Sequence, residues 1–209
     1  MTTAGGLIRG VSVAHDRARL DDLEAADVES QRAAVEALLS EPGVTEALVL
    51  QTCNRVEAYV VVEEPAQGRA ALESIVADVD DDVVRDLDHE ASLRHLLRVA
   101  SGLESMVVGE DEILGQVSDA QETAIPYLDG TLGPVVETAI RVGKRVRSET
   151  GINEGNSSIG TAAAELADRQ LDALSAAQAL VIGAGEMGKL VASPLADRGV
   201  ELIVTNRTY

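Results

Sequence analysis

Two β-prone runs, Glu46 to Gln51 and Val56 to Val62, are separated only by Thr52-Cys53-Asn54-Arg55. Strand-like segments this close in sequence predict an antiparallel hairpin. The connection carries the only cysteine in the chain, at a sheet end, where a side chain can be both held and exposed. The thiolate, not the thiol, is the nucleophile, and a neighbouring arginine favours it; Arg55 lies two residues on. A lone cysteine is also commonly a small buried apolar residue, and local chemistry alone leaves both readings open.

The flanking segments extend the hairpin into a sheet. Leu7 to Val13 reads as a first strand, and a helical stretch from about Leu20 to Leu39 is closed by Ser40-Glu41-Pro42-Gly43. After Glu64-Pro65, Gln67 to Val79 predicts a helix with Ala71, Leu72, Ile75 and Val79 on one face. The acidic run Asp78 to Asp82 reads as a solvated turn, and Val83 to Leu87 as a short edge strand. Strand, helix, strand, strand, helix is the order of a ferredoxin-like split βαβ unit.

From Glu90 to Thr123 the pattern is helical, interrupted at Gly102 to Met106 and resuming near Gly109. Leu93, Leu96, Leu97 and Ala100 form one stripe, with His95 on nearly the opposite side beside Val99, a position that predicts a solvated or hydrogen-bonded histidine. In the next helix Ile113, Leu114, Val117, Ala120 and Ala124 mark the apolar face. Glu110 and Gln116 flank it and Asp111 points away. Inward polar groups need partners, and either a ligand or a helix-terminus charge effect supplies one. Leu132 to Thr150 is a further helix bearing Arg141, Lys144, Arg145 and Arg147, the first three on one face. That face suits phosphate, or ion pairs with nearby carboxylates.

Gly151 to Gly160 reads as a linker, and Thr161 to Leu174 as a helix. Then Ala179-Leu180-Val181-Ile182, a short buried strand, runs into Gly183-Ala184-Gly185-Glu186-Met187-Gly188 and a helix from Lys189 to Arg198, with a second strand from Glu201 to Thr205. G-x-G-x-x-G between a strand and a helix is a dinucleotide fingerprint. Asn206-Arg207-Thr208 stands where an NAD site places an acid, so NADPH is the expected cofactor. The chain ends one strand pair into that domain, which reads as a Rossmann-type domain cut short.

Composition bounds the setting. No apolar run is long enough to span a bilayer, and no charged-then-apolar leader opens the chain, so a cytoplasmic protein is expected, with no membrane partner and no metal. A net charge of −19 over 209 residues, with Lys144 and Lys189 the only lysines, points to a protein adapted to high salt. The 45% hydrophobic content argues against acidic disorder.

Several motifs in order resemble glutamyl-tRNA reductase: Thr52-Cys53-Asn54-Arg55, the stretch from His95 to Met106, Gly109-Glu110 with Ile113-Leu114-Gly115-Gln116, Gly143 to Arg147, and the glycine loop. The resemblance implies a catalytic domain over residues 1–152 and a linker helix with the start of an NADP-binding domain over 153–209. The family's C-terminal dimerisation domain is missing. It also implies that Cys53 attacks the glutamyl ester of glutamyl-tRNA, and that hydride from NADPH releases glutamate-1-semialdehyde for tetrapyrrole synthesis. By the same resemblance Thr52, Asn54, Arg55, Ser105, Glu110 and Gln116 line the glutamate pocket, with Arg55 for a carboxylate and Glu110 for the ammonium, and His95 supports activity. Asp111 and Glu112 occupy further substrate positions, where the family usually has Pro-Gln. Ala14-His15-Asp16-Arg17 replaces the usual Asn-His-Lys-Thr. The cofactor loop is Gly183 to Gly188, with Asn206, Arg207 and Thr208. Implied partners are a second subunit of the full-length protein and glutamate-1-semialdehyde aminomutase. Two alternatives stand beside this: another acylating, NADP-dependent aldehyde dehydrogenase with a catalytic cysteine, and a non-catalytic tRNA-binding module.

Overall fold

The computed structural model describes residues 6–153 and 158–206, and of Glu186 only the backbone. Strands β1 (Leu7–Ala14), β2 (Val44–Thr52), β3 (Arg55–Val62) and β4 (Arg85–Leu87) form an antiparallel sheet in the order β2-β3-β1-β4. This is the ferredoxin-like order. Every residue of β3 is buried, because helices cover both faces. A cross-strand register sets the faces: Ile8, Gly10 and Ser12 stand opposite Val61, Tyr59 and Glu57, and partners across an antiparallel pair share a face.

One face carries α1 (Leu20–Ala25), α2 (Gln31–Leu39) and α3 (Pro65–Val76). The helix expected from Leu20 to Leu39 is two helices. Gln51 breaks it by accepting from the Val28 N–H (2.8 Å) and donating to the Val28 carbonyl (3.2 Å). Ser30 then caps α2. Helix α3 begins and ends earlier than expected, with Pro65 in the first turn, where its missing N–H costs nothing. Strand β4 is the expected edge strand, shortened to three residues.

The other face carries α4 (His89–Ala100), α5 (Glu112–Ala124) and α6 (Leu132–Glu149). Buried Glu46 of β2 ties α6 to the sheet by accepting from the Thr131 and Leu132 N–H groups (2.5 and 3.0 Å). These are donors that the start of a helix leaves unpaired. Of the expected basic patch, Arg147 turns inward. It donates to the carbonyls of Ala100 (2.8 Å) and Glu110 (2.6 Å) and to Asp111 (3.1 Å). Arg145 pairs with Glu149.

A second, smaller unit follows: α7 (Ile159–Gln170), β5 (Gln178–Ile182), α8 (Glu186–Asp197) and β6 (Glu201–Thr205). Strands β5 and β6 pair in parallel around α8, a Rossmann-type βαβ unit. Its core is Ala164, Leu174, Leu195 and Val200. Strand β5 was expected to be buried, yet Leu180 and Ile182 are exposed. With two strands among the described residues, only one face of this sheet is covered. No helix among the described residues is long and apolar enough to cross a membrane.

Candidate active site

Thr52 pairs with Arg55, leaving Cys53 and Asn54 as a two-residue turn between β2 and β3. No described residue other than glycine has a positive φ, so this is not the primed turn that such hairpins favour. Bonds to neighbours hold it instead. The Asn54 N–H donates to Thr52 Oγ1 (3.1 Å), and the Asn54 carbonyl accepts from the His15 N–H (3.0 Å). Cys53 is exposed on this braced tip, which removes the buried-apolar reading.

Beneath the tip lies a charged cluster that the sequence reading missed. Arg55, Glu57 and Tyr59 alternate along β3 and share the face under α4. Glu57 is wholly buried. Its Oε1 accepts from Arg55 Nη1 (2.8 Å), His95 Nε2 (2.9 Å) and Ser12 Oγ (3.2 Å), and its Oε2 from the Tyr59 hydroxyl (2.7 Å). Burial opposes the charge, but His95, Arg55 and Tyr59 together outweigh it and lower the Glu57 pKa from 4.5 to about 2. Burial, and then the facing Glu57 anion, push the Tyr59 hydroxyl well above its usual value.

Of the two readings open for His95, solvated or hydrogen-bonded, the structure has the second: it is 5% exposed and bonded to Glu57. The side of α4 facing the sheet includes Ser92, His95 and Val99, because a strand carboxylate supplies a polar partner that an apolar stripe does not reveal. Arg55 also points inward. It is 2% exposed, and its second terminal nitrogen donates to the Glu104 carbonyl.

A cleft of about 440 Å³ opens beside the thiol. The hairpin contributes Thr52, Cys53, Asn54 and Arg55; the loop before α5 contributes Ser105, Met106, Val107 and Glu110; α5 contributes Glu112, Ile113 and Gln116. Most of the expected substrate residues thus meet in one place. Asp111 does not line the cleft, its carboxylate being held by Arg147, and His95 lies behind Glu57.

Glu110 caps α5, accepting from the N–H groups of Glu112 (2.9 Å) and Ile113 (3.2 Å) and from Ser105 Oγ (3.1 Å). Burial first, and then the adjacent Glu112 carboxyl, raise its pKa from 4.5 to about 7, only partly offset by the Ser105 and backbone bonds. Glu112 Oε2 is buried with no hydrogen-bond partner among the described residues.

Helix α8, which follows the glycine loop, borders the cleft from the other side. Gly183 ends β5 with φ of +108°, and Gly185 is the N-cap of α8. A Cβ built on either meets nothing within 4 Å, whereas one on Gly188 falls 1.9 Å from the Gly183 carbonyl oxygen. An open backbone followed by a close helix–loop contact at a helix N-terminus fits a dinucleotide pyrophosphate. The helix starts at Glu186, earlier than the expected Lys189, so Ala184 remains in the loop and Met187 is already helical. Met187 and Leu190 of α8, with Ile159 of α7, line the same cleft as Cys53. Asn206 directly follows β6; Arg207 and Thr208 lie outside the described residues.

Residues 11–150 match the family model described as Glutamyl-tRNAGlu reductase, N-terminal domain. The chain belongs to the glutamyl-tRNA reductase family. Residues 165–209 match the model for shikimate / quinate 5-dehydrogenase. The chain is 53% identical over 207 residues to a glutamyl-tRNA reductase of Haloarcula marismortui, covering 97% of this chain and 46% of the relative. It is 50% identical over 210 residues to that of Natronomonas pharaonis, covering 100% and 46%. The solved glutamyl-tRNA reductase of Methanopyrus kandleri aligns with a TM-score of 0.70 at 44% identity, covering 97% of this chain and 50% of that one. The chain spans about half the length of the curated relatives it matches.

Proposed function

We propose that this chain takes glutamate from glutamyl-tRNA onto Cys53 as a thioester and reduces it to glutamate-1-semialdehyde, opening tetrapyrrole synthesis. The observation supporting this reading is one cleft bordered both by an exposed cysteine on a braced turn and by the helix that follows a dinucleotide-type glycine loop. The Cys53 sulfur attacks the acyl carbon, the ester C–O bond breaks, and the tRNA 3′ oxygen leaves with a proton. A dinucleotide held at Gly183 to Gly188, taken as NADPH because Arg207 stands where an NAD site has an acid, supplies the hydride.

The protein's own groups set up the first step. Thr52 and Asn54 fix the tip. Ser105, Glu110 and Gln116 face the glutamyl group, with Glu110 for the ammonium, and Arg55 borders the cleft for a carboxylate. Glu57 holds Arg55 and His95 from behind, so His95 acts as a positioning residue. Glu112 faces the substrate in the same reading, and Asp111 does not. Assembly as a dimer in the full-length protein and hand-over to glutamate-1-semialdehyde aminomutase belong to the same proposal.

Glu110 gives this reading a pH signature. Its folded pKa lies above the usual carboxyl value, so its contribution to stability is full below about pH 4.5 and is lost as pH rises through about 7. Affinity for an ammonium group moves the other way. Calorimetric binding of glutamate, whose ammonium stays charged throughout, is expected to strengthen between roughly pH 6 and pH 8 and to lose that dependence in Glu110→Gln; an identical profile in both proteins would contradict the assignment.

The function itself is tested with glutamate-labelled glutamyl-tRNA. Label is expected to move to the protein, and excess uncharged tRNA to suppress the transfer. Equal labelling from glutamyl phosphate, indifferent to uncharged tRNA, would favour a small-substrate acylating dehydrogenase instead.

A further inference from the structure

The segment between α4 and α5 is apolar, exposed and yet firmly held. Leu103, Met106 and Val108 are 41%, 57% and 54% exposed. Flexibility does not account for this, because the base of the loop is pinched. The Gly109 N–H donates to the Gly102 carbonyl (2.9 Å), both glycines have positive φ, and a Cβ on Gly109 would fall 2.3 Å from the Ile152 carbonyl oxygen. Side chains brace the rest: Glu104 is paired with Arg98 and Arg85, its carbonyl accepts from Arg55, and Ser105 bonds Glu110. A rigid loop that keeps large apolar side chains in solvent at the rim of a cleft is organised for contact.

We propose that this loop seats the terminal 3′ nucleoside of the tRNA, with Met106 against the face of its base. The inference rests on the glutamyl-tRNA reading above and names how that substrate is held. The acyl carbon must reach the Cys53 sulfur, and the ester joins that carbon directly to the terminal ribose, so the base lies within one nucleoside's length of the thiol. Met106 and Val107 line the cleft that Cys53 lines. Bases are commonly bound on aromatic rings, but the chain has no Trp or Phe, and no tyrosine is among the described residues that line the cleft. Thioethers are the remaining polarisable surface, and sulfur–ring contacts are favourable; of the two that line the cleft, Met187 belongs to the helix after the glycine loop and Met106 to the loop before α5. Phosphate attraction is a poor substitute on a chain of charge −19.

The test measures acylation of Cys53 without NADPH, using two donors: glutamyl-tRNA and a nucleotide-free activated ester that carries no ring, glutamate cyanomethyl ester. Met106→Ala is expected to lower the rate with tRNA relative to that with the plain ester by about five- to ten-fold. Met106→Phe is expected to restore the ratio or raise it, which a merely structural role does not predict. If wild-type protein accepts glutamate from neither donor, the functional reading itself fails. If it accepts both and Met106→Ala leaves their ratio unchanged, the loop does not hold the nucleoside. Acylation unaffected by the variant, with only the NADPH-dependent step slowed, would assign the loop to the cofactor and overturn the proposal.

Discussion

Cys53→Ser is expected to keep the fold and to abolish transfer of glutamate from tRNA to the protein. The side chain is exposed on a turn held by Thr52, Asn54 and His15, so exchanging sulfur for oxygen should change stability by no more than about 0.5 kcal/mol. Its chemistry changes far more. A serine hydroxyl needs a general base within hydrogen-bond reach to become a nucleophile. Neither nearby histidine is such a base: His95 lies behind Glu57, with Nε2 committed to that carboxylate, and His15, which holds the turn through its backbone, does not line the cleft either. Matching thermal melts and a rate at background in the variant are the expected pair of results. A folded Cys53→Ser protein that still takes up glutamate at the wild-type rate would move the nucleophile elsewhere.

Glu57→Ala is expected to produce the largest loss of stability of any single change near the site. The carboxylate is fully buried and accepts from four side chains. Its removal leaves the Arg55 guanidinium, itself 2% exposed, without its counter-charge. Breaking a buried pair in this way costs about 3–5 kcal/mol, which lowers the melting temperature by on the order of 10 °C for a chain of this size. Ser12→Ala removes only the longest of the four bonds and should cost about 1 kcal/mol. Comparable small losses in both variants would show that the cluster is wetter than its geometry indicates.

The contrast between these residues shows what a sequence can reveal. The hairpin and its cysteine were legible because two apolar runs so close together leave the chain one way to turn. The glycine loop was legible because its neighbours were a strand and a helix. Gln116 was correctly set toward the inside of α5 by helical spacing, whereas Glu110, read as part of that helix, lies in the loop before it and caps it. His95 was set beside Val99, off the apolar stripe, but a wheel for α4 does not separate solvent from a hydrogen-bond partner, because that partner is a carboxylate on a distant strand. Glu57 went unseen for the same reason, although Arg55, Glu57 and Tyr59 alternate, and a period of two puts them on one face. Arg147, counted with a basic surface, instead joins the end of α4 to the loop before α5; only the packing of three helices determines that. The division of the long first helix depended on one side chain, Gln51, reaching across from β2.

The central claim is that glutamate passes through a thioester on Cys53. The direct measurement is to incubate the protein in high salt with glutamate-labelled glutamyl-tRNA and no NADPH, quench in acid and map the label by peptide mass spectrometry. The account predicts one labelled peptide, carrying glutamate on Cys53, that loses its label on treatment with hydroxylamine or on addition of an external thiol. Label on another residue, or none on protein whose fold is verified and which discharges the tRNA all the same, would contradict it.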